Sequence, residues 1–517
     1  MIPVVTADQM RSIEELAFKS GETVESLSQR AAESIADEIL RLIREELLRP
    51  PVAVVAGPGN NGLDAIKTAN ILANSGISVK VFSWKRQESN SQQAELEDVL
   101  DESRTILDGI FGIGLSRNVE GEAAQIIERL NSFRSETDAR TVSIDIPSGL
   151  HSDNGKVMGV SIVADYTVTL GYPKSGLYTG KGPESAGVIV HKPLGFTIPE
   201  DFSPLAWGFT QNEYEVKFPE RKVGSHKNDN GRLIVLGGSL KYPGAPVLAA
   251  RAAARAGAGY VTVAFPRSLY YTITSHLNQE TVWPLPEAEP FTLGPASVEE
   301  AREAASTYKA LVVGNGVGRE EATIDFVLEL LGLPGPEQRR AIGFRPSPNL
   351  PKKNDKHQIP PTVVDGDGLF ALASQDSWWV STPQVQILTP HPGEMARLVN
   401  KSVSEVESDR FGMSVSSSKE WGKVVLLKGA YPLIAKPDGK VYLLIESHPE
   451  VSSAGTGDVL AGLCGFFLSL GYPAADAAQA ALVLGSRAAS IASETVSKNC
   501  VGATDLIDAL PAARMSL

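Results

Sequence analysis

The stretch VAVVAGPGNNG, Val52 to Gly62, joins an apolar run to a glycine-rich turn. Five apolar residues in a row fit a buried strand, and the turn after them fits the start of a helix. Strand, tight turn and helix in this order form the repeating unit of a parallel α/β sheet. The sequence therefore predicts such a sheet around Val52 to Ala56.

The same alternation extends on both sides of this stretch. Two amphipathic helices, separated near Gly21, are predicted between Asp8 and Arg49. Strand and helix patterns then alternate from residues 64, 79, 105, 121 and 141, which predicts a Rossmann-like, doubly wound sheet over residues 1–215. The segment 198–230 is rich in Pro, Phe, Trp and charge without periodicity, and is predicted to be a linker.

A second, larger α/β domain is predicted over residues 220–517, because the alternation restarts with patterns at 232, 244, 260, 310, 362, 385 and 423. Its polar, Pro-rich segment 335–361 is predicted to be a surface insertion. The apolar run Val459 to Leu468 is predicted to be a buried helix, since it is too short to cross a bilayer. The expected fold class is α/β with two domains.

Composition excludes several classes of protein. The 517 residues include 48 Lys plus Arg and 61 Asp plus Glu, a net charge of −13 that disfavours nucleic acid and anionic membranes as partners. Cys464 and Cys500 cannot form a disulfide framework, and neither lies in a zinc motif. With no secretory pattern in the first residues, a cytoplasmic location is expected.

The glycine-rich turn does not fit an ordinary nucleotide motif. Gly57 to Gly62 has the G-x-G-x-x-G spacing, but the acidic residue expected about twenty positions later is missing. Leu63 and Asp64 replace the Lys-Ser/Thr of a P-loop, which excludes an NTPase of that type.

Oxygen-bearing side chains follow three predicted strands, at ends that meet on one edge of a parallel sheet. They are Asn60, Asn61, Asp64, Asp108, Asp145 and Ser148. Such oxygens favour K⁺, Na⁺ or Mg²⁺ over zinc, although each could instead serve only its own sharp turn.

Three of these stretches, GPGNNG followed by Asp64, LDGIFGIGLSR and SIDIPSGL, resemble in order the NAD(P)H-hydrate epimerase domain, which interconverts the R and S forms of hydrated NADH or NADPH. The resemblance implies that Asn61, Asp108 and Ser148 hold K⁺, and that Asp145 contacts the nicotinamide part and acts as acid/base. It implies further substrate contacts from two stretches, namely Asn60, Asn61, Gly62, Leu63, Asp64, Gly112, Ile113, Gly114, Leu115, Ser116, Arg117 and Asn118.

The sharpest local signal is Ala454-Gly455-Thr456-Gly457-Asp458, directly before the apolar helix. Small residues let backbone N–H groups approach an anion at the positive end of a helix. A carboxylate beside that anion is placed to take a proton from a substrate hydroxyl during phosphoryl transfer. Alternatively, Asp458 only complements the helix dipole.

This turn resembles the ribokinase-like superfamily, and with GRLIVLGGS, VVDGDGL, ILTPHPGEMARL and VVLLKGA it resembles the ADP-dependent NAD(P)H-hydrate dehydratase. The resemblance implies ADP as co-substrate and Mg²⁺ as cofactor, although the sequence does not decide between ADP and ATP. Implied nucleotide contacts are Lys428, Gly429, Ala430, Gly455, Thr456 and Gly457, and implied hydrate contacts are Ala245, Gly316, His391 and Asp458. Asp365 and Asp367 either support Mg²⁺ or cap a turn.

The leading hypothesis is a bifunctional enzyme whose first domain supplies the S epimer that the second dehydrates. The resemblance also implies a homo-oligomer. A kinase for a vitamin precursor is an alternative, since the same helix start serves simple phosphoryl transfer. A catalytically silent N-terminal module is another, because Leu63 and Ala65 replace family glycines and Gln29 replaces a family carboxylate.

Overall fold

The computed structural model describes residues 1–85, 95–334 and 357–517. They form two compact units, treated separately below. The N-terminal unit comprises Ile2–Gly208 with Glu407–Asp409, and the C-terminal unit comprises Met1, Phe209–Val406 and Arg410–Leu517. Residues 335–356 of the predicted surface insertion lie outside the described residues.

The described strands have the following bounds: β1 (Ile2–Val4), β2 (Val52–Ala56), β3 (Val79–Ser83), β4 (Thr105–Gly109), β5 (Arg140–Ile144), β6 (Tyr166–Leu170), β7 (Val188–Lys192), β8 (Ala206–Phe209), β9 (Arg232–Leu236), β10 (Tyr260–Pro266), β11 (Thr281–Leu285), β12 (Ala310–Val313), β13 (Thr362–Val364), β14 (Val385–Leu388), β15 (Val424–Leu427), β16 (Leu433–Ala435) and β17 (Val441–Leu444).

The described α-helices have the following bounds: α1 (Ala7–Lys19), α2 (Val24–Arg44), α3 (Asn60–Asn74), α4 (Leu96–Leu100), α5 (Glu122–Glu136), α6 (Gly182–Ser185), α7 (Ala245–Ala256), α8 (Tyr270–Thr274), α9 (Val298–Ser306), α10 (Glu321–Leu330), α11 (Asp367–Leu372), α12 (Pro392–Leu398), α13 (Val403–Ser408), α14 (Arg410–Trp421), α15 (Thr456–Ser469), α16 (Ala474–Thr495) and α17 (Ala503–Met515).

The sheet of the N-terminal unit is parallel, with the order β3-β2-β4-β5-β6-β7. Val54 and Ala56 pack with residues of α2 and α3 on one face, and Ala53 and Val55 pack with residues of α5 on the other. The predicted doubly wound sheet is thus confirmed. Because the chain leaves β2 in one direction and β4 in the other, a crevice opens between the turns that follow them.

The predicted helices of this unit are also confirmed. Thr6 and Thr23 cap α1 and α2 through hydrogen bonds to Gln9 and Ser26, and Gly21 separates the two helices with a φ of +105°. A left-handed residue favours glycine because a side chain there is strained. The apolar face of α2 covers the sheet, which buries Ile35 and Ile39 completely and stabilises the fold by roughly 1.5–3 kcal/mol for each such side chain.

The segment 198–230, for which a linker or an interdomain wrap is predicted, contains a strand that the sequence did not indicate. Residues 206–209 form β8, which pairs antiparallel with β1. Such short strands carry too little periodicity to be recognised alone. The prediction also missed β6 and β7, which complete the parallel sheet.

The strands of the C-terminal unit follow the order β17-β16-β15-β14-β13-β12-β9-β10-β11. Those from β15 to β11 in this order are parallel, whereas β16 and β17 are antiparallel additions that the sequence did not indicate. The apolar run forms α15, whose Phe466 and Phe467 are buried, so the prediction of a buried helix is confirmed. Among the described helices, none has the length and apolar character needed to cross a membrane.

Candidate functional site

A cavity of about 640 Å³ lies in the N-terminal unit at the crevice between β2 and β4. Helices α1 and α2, the turn after β2 and the loop after β4 form its walls. The predicted substrate residues that line it are Asn60, Asn61, Leu63, Asp64, Gly112, Ile113, Gly114, Leu115, Ser116, Arg117 and Asp145. Most of the predicted set is therefore brought together.

Two residues of that set do not line the cavity. Gly62 is buried, and a Cβ there would lie 1.9 Å from the carbonyl oxygen of Gly57, so the glycine permits the tight turn. Asn118 is exposed at the end of the loop after β4.

The carboxylate of Asp108 is fully buried at the end of β4. It accepts hydrogen bonds from Ser148 Oγ at 2.5 Å, Ser148 N at 2.9 Å and Ser143 Oγ at 2.8 Å. Burial raises its pKa, which these hydrogen bonds oppose, and no basic side chain contributes. If Asp108 is ionised, its charge lacks a basic partner among the residues described.

Two of the three predicted K⁺ ligands are hydrogen-bonded to the backbone of Phe111, and the third is hydrogen-bonded to one of these two. Asn61 Nδ2 donates to the carbonyl oxygen of Phe111 at 2.9 Å, and Ser148 Oγ accepts from Phe111 N at 2.8 Å. Ser148 in turn contacts Asp108. Hard oxygen donors beside a buried carboxylate suit a cation such as K⁺. The described ranges contain no cluster of three His, Cys, Asp or Glu residues that could hold a metal ion.

Asp145 follows β5 and forms an ion pair with Lys174, whose side chain is almost completely buried. Leu170 N donates to Asp145 Oδ1 at 3.1 Å, and Lys174 Nζ also donates to the carbonyl oxygen of Leu170 at 2.7 Å. Asp145 has a φ of +65°, a conformation that Asp and Asn tolerate better than most residues. Both charged groups line the cavity. Sequence reasoning missed Lys174 because it missed β6, the strand before it.

The second group of functional side chains follows the carboxyl ends of adjacent parallel strands in the C-terminal unit. Asn315, Asp365, Thr389 and Lys428 come after β12, β13, β14 and β15. Lys428 Nζ and Thr389 Oγ1 bind Asp365 Oδ1 at 2.8 and 2.7 Å. Although burial opposes its charge, the neighbouring carboxylates raise the pKa of Lys428, so it is cationic.

Asp458 lies in the first turn of α15, after Gly455 at a φ of +90°. Asn315 Nδ2 donates to Asp458 Oδ1 at 2.7 Å and to Asp365 Oδ2 at 3.1 Å, so one amide bridges two carboxylates. Burial, and then the charge of Asp365, raise the pKa of Asp458 to about 7. Lys428 Nζ is 3.4 Å from the point where a Cβ at Gly457 would lie. The lysine thus stands beside the helix start.

Two predicted hydrate contacts are close together. A Cβ at Gly316 would lie 2.9 Å from the Cβ of Ala245 and 2.6 Å from that of Tyr242. Gly316 follows Asn315, which binds Asp458. Ala245, Gly316 and Asp458 therefore belong to one region.

His391 begins α12 and is more than half exposed. Its Nδ1 accepts from Gly393 N at 3.0 Å, and its Nε2 lies 3.3 Å from Glu394 Oε1. Glu394 Oε2 is 3.7 Å from Lys428 Nζ, so His391 adjoins the cluster through this glutamate. Burial raises the pKa of Glu394, which Lys428 opposes.

The turn that carries Lys428, Gly429 and Ala430 is held by Arg410, a residue that sequence reasoning missed. Arg410 Nη2 donates to the carbonyl oxygens of Lys428 at 3.1 Å and Tyr431 at 3.2 Å. A buried arginine beside this turn fixes its backbone. In the sequence Arg410 belongs to none of the motifs, so nothing there indicated that it supports the site.

Asp367 contacts neither Lys428 nor Asp458 by a hydrogen bond. Arg319 Nε binds one of its oxygens at 2.6 Å, and Gly318 N binds the other at 3.1 Å. These contacts favour the turn-capping alternative for Asp367. Asp365 instead joins Lys428 to Asn315.

Fold and site together define a two-domain α/β protein with a cavity in one unit and, in the other, a helix start of small residues beside Asp458 and Lys428. Residues 233–512 match the family described as NAD(P)H-hydrate dehydratase, and residues 24–176 match the YjeF-related protein N-terminus family. The chain belongs to the family of bifunctional NAD(P)H-hydrate repair enzymes.

Two relatives with that name cover nearly the whole chain. The one from Thermofilum pendens is 31% identical over 97% of this chain and 94% of its own length. The one from Moorella thermoacetica is 31% identical over 98% of this chain and 96% of its own length. An ADP/ATP-dependent NAD(P)H-hydrate dehydratase from Bacillus subtilis, crystallised with ATP/Mg²⁺, is 25% identical, with a TM-score of 0.48, over 60% of this chain and 98% of that chain.

Proposed function

We propose that the chain repairs hydrated NADH and NADPH in two steps. The N-terminal cavity interconverts the R and S hydrates, and the C-terminal site dehydrates the S hydrate with ADP. Family membership over nearly the full chain supports this function. The observation that carries the assignment of the second site is a partly buried carboxylate, Asp458, beside Lys428 at a helix start made of small residues.

In the dehydration step, Asp458 takes the proton of the ring hydroxyl while the hydroxyl oxygen attacks the β-phosphorus of ADP, and the bond from that phosphorus to the bridging oxygen breaks to release AMP. The backbone N–H groups of Gly455, Thr456 and Gly457 and the Lys428 ammonium stabilise the negative charge of the phosphoryl group. The ring nitrogen then expels phosphate from the carbon beside it, and solvent takes a proton from the next ring carbon, which restores the double bond. Phosphate is a far better leaving group than hydroxide.

Mg²⁺ would neutralise the phosphate charge of the bound nucleotide. Asp365 and Asp367 do not fit as direct ligands of Mg²⁺, because each already forms an ion pair. Asp365 is paired with Lys428, and Asp367 is paired with Arg319. The metal would instead enter with the nucleotide.

In the epimerisation step, the hydrate ring would occupy the cavity beside Asp145, which is paired with Lys174. Asn61, Asp108 and Ser148 would hold K⁺, which would balance the buried carboxylate and any nearby phosphate. Asn61 and Phe111 line the cavity, and Ser148 and Asp108 are buried behind Phe111, to which Ser148 is hydrogen-bonded; this grouping supports that role.

Of the three residues that motivated a silent N-terminal module, Leu63 lines the cavity, whereas Ala65 and Gln29 do not. Ala65 is buried against Gly109, and Gln29 is exposed and bonded to Glu33. Ser28, not Gln29, faces the site, where it donates to Asp64 Oδ1 at 2.6 Å. An active epimerase is therefore the better interpretation.

The proposed function is tested by incubating the protein with mixed R and S NADPH hydrates, ADP and Mg²⁺ and following NADPH at 340 nm. Recovery of both epimers faster than spontaneous inversion is expected. Recovery of only the S hydrate would indicate a silent N-terminal unit. No recovery, together with phosphorylation of a vitamin precursor, would favour the kinase alternative.

Epimerisation is expected to depend on K⁺ through Asp108. The Asp108→Asn variant removes the buried charge but keeps an acceptor oxygen, so the K⁺ concentration for half-maximal epimerisation should rise at least tenfold. Ser143→Ala is the matched control, because Ser143 contacts the same carboxylate but is not a proposed ligand. Equal K⁺ dependence in Asp108→Asn and the wild type would contradict the assignment.

The pH dependence of dehydration is expected to follow Asp458, whose pKa is raised to about 7. Only the ionised carboxylate accepts a proton, so kcat/KM should fall as the pH decreases below about 7. The Asn315→Leu variant loses the hydrogen bond that lowers this pKa, so the midpoint should move to higher pH.

Asp365→Asn provides the opposite test, because it removes the charge that raises the pKa of Asp458. Its midpoint should move to lower pH. Profiles of kcat/KM against pH for both variants and the wild type measure the two shifts. Shifts of the same sign would contradict Asp458 as the titrating group.

A further inference from the structure

We propose that Glu14 is a second acid/base residue of the N-terminal cavity, one that protonates the departing hydroxyl while Asp145 accepts a proton from the entering water. This inference rests on the proposed epimerase function. Four residues of α1 line the cavity on one face of the helix, namely Met10, Arg11, Glu14 and Phe18. Glu14 thus belongs to the same cavity as Asp145 and Lys174.

The start of α1 is fixed beside Lys174. Val5 N donates to the carbonyl oxygen of Pro173 at 2.9 Å, and Ser175 N donates to that of Val5 at 3.0 Å. These two bonds flank Lys174 and form a parallel bridge. The segment that carries Lys174 therefore also positions the helix that carries Glu14.

The side chain of Glu14 lines the cavity, and its carboxyl group is available to contact a ligand. Its neighbours Met10 and Ile13 are buried in an apolar cluster with Val5, which fixes the rotation of α1. Glu14 is half-buried, and within the described ranges its carboxyl group has no hydrogen-bond or ion-pair partner. Asp145, in contrast, is paired with Lys174.

The surroundings of Glu14 raise the pKa of its carboxyl group above the ordinary value for a glutamate. Burial raises its pKa, Lys174 and Arg11 lower it, and the charge of Asp145 raises it. A carboxylate paired with a lysine and a second carboxyl group whose pKa is raised by burial can serve as base and acid of one site. The geometry of the cavity brings the two together.

The chemistry of the hydrate requires such a pair. Its hydroxyl group is on a carbon bonded to the ring nitrogen, so the nitrogen lone pair can form a C=N bond as the C–O bond breaks. The hydroxyl leaves as water with the proton from Glu14. A second water adds to the opposite face, and its proton goes to Asp145. One water leaves and one enters, and solvent returns the proton from Asp145 to Glu14, so atoms and charge balance.

The test compares the wild type with the Glu14→Gln and Glu15→Gln variants of the full chain. Glu15 is the adjacent, exposed residue and does not line the cavity. Pure R hydrate is incubated without nucleotide in ¹⁸O-labelled water. The epimers are separated by chromatography, and mass spectrometry measures the ¹⁸O content of each. Spontaneous inversion and exchange are subtracted.

The Glu14→Gln variant should lose about 100-fold or more in kcat for epimerisation, the effect typical of a general acid, with KM within twofold. Glu15→Gln should match the wild type, and each catalysed inversion should introduce one ¹⁸O. A Glu14→Gln variant as fast as the wild type, or an S hydrate that keeps its original oxygen, would overturn the proposal. A wild type no faster than spontaneous inversion would instead refute the epimerase function itself.

Discussion

Asp458→Asn should reduce ADP-dependent dehydration about a thousandfold, because the amide cannot accept the hydroxyl proton and general bases contribute about 10²–10⁴-fold. ADP should bind at least as tightly as before, since the substitution removes a negative charge near the phosphates. Dehydration is measured as NADPH recovery from the S hydrate, and binding by calorimetry. The epimerase activity of the same chain should not change.

Asp476→Asn is a matched control for this prediction. Asp476 is also an acid in the first turn of a long helix of the same unit, but it is exposed. If Asp458 only complemented the helix dipole, both variants would lose about 0.3–1 kcal/mol of stability and keep their turnover. Dehydration within tenfold of the wild type in Asp458→Asn would contradict its role as base.

Asp145→Asn should reduce epimerisation at least 100-fold and leave dehydration unchanged. Asn also tolerates the left-handed conformation at this position, so the backbone should keep its shape. Alanine would combine loss of the carboxylate with backbone strain and would be harder to interpret. Conversion of R to S hydrate without nucleotide measures the first activity, and NADPH formation from pure S hydrate measures the second.

This variant leaves Lys174 buried without its ionic partner, which costs about 3–5 kcal/mol in comparable cases. The double variant Asp145→Asn with Lys174→Met removes both charges and separates chemistry from stability. Thermal unfolding of the double variant should be nearer to that of the wild type, while epimerisation stays lost. If the double variant regains epimerisation, Asp145 is not the acid/base group.

Much of the fold was predictable because its strands are apolar runs followed by glycine-rich turns, as at Val52–Ala56 and Val424–Leu427. Edge elements were not predictable in this way. β8 has four residues and β16 has three, too few to show a period. The partner of β8 is β1, about 200 positions earlier in the chain, whereas β16 pairs with its neighbours in sequence, β15 and β17.

The candidate site was predictable where a local motif carries the chemistry, as for Asp458 at the start of α15. Its hydrogen-bond partner was not, because Asn315 is 143 positions away in sequence. Lys174 and Glu14 could not be predicted as site residues for the same reason. They are far from Asp145 in sequence, and only the fold brings all three to one cavity.

Helix α1 has a practical consequence for expression boundaries. The family match of the first unit begins at residue 24, after α1 has ended, yet Met10, Glu14 and Phe18 form part of the cavity wall. A recombinant fragment trimmed to that match would lack this wall and the strand bridge at Val5. Domain dissection should therefore retain the first twenty-three residues.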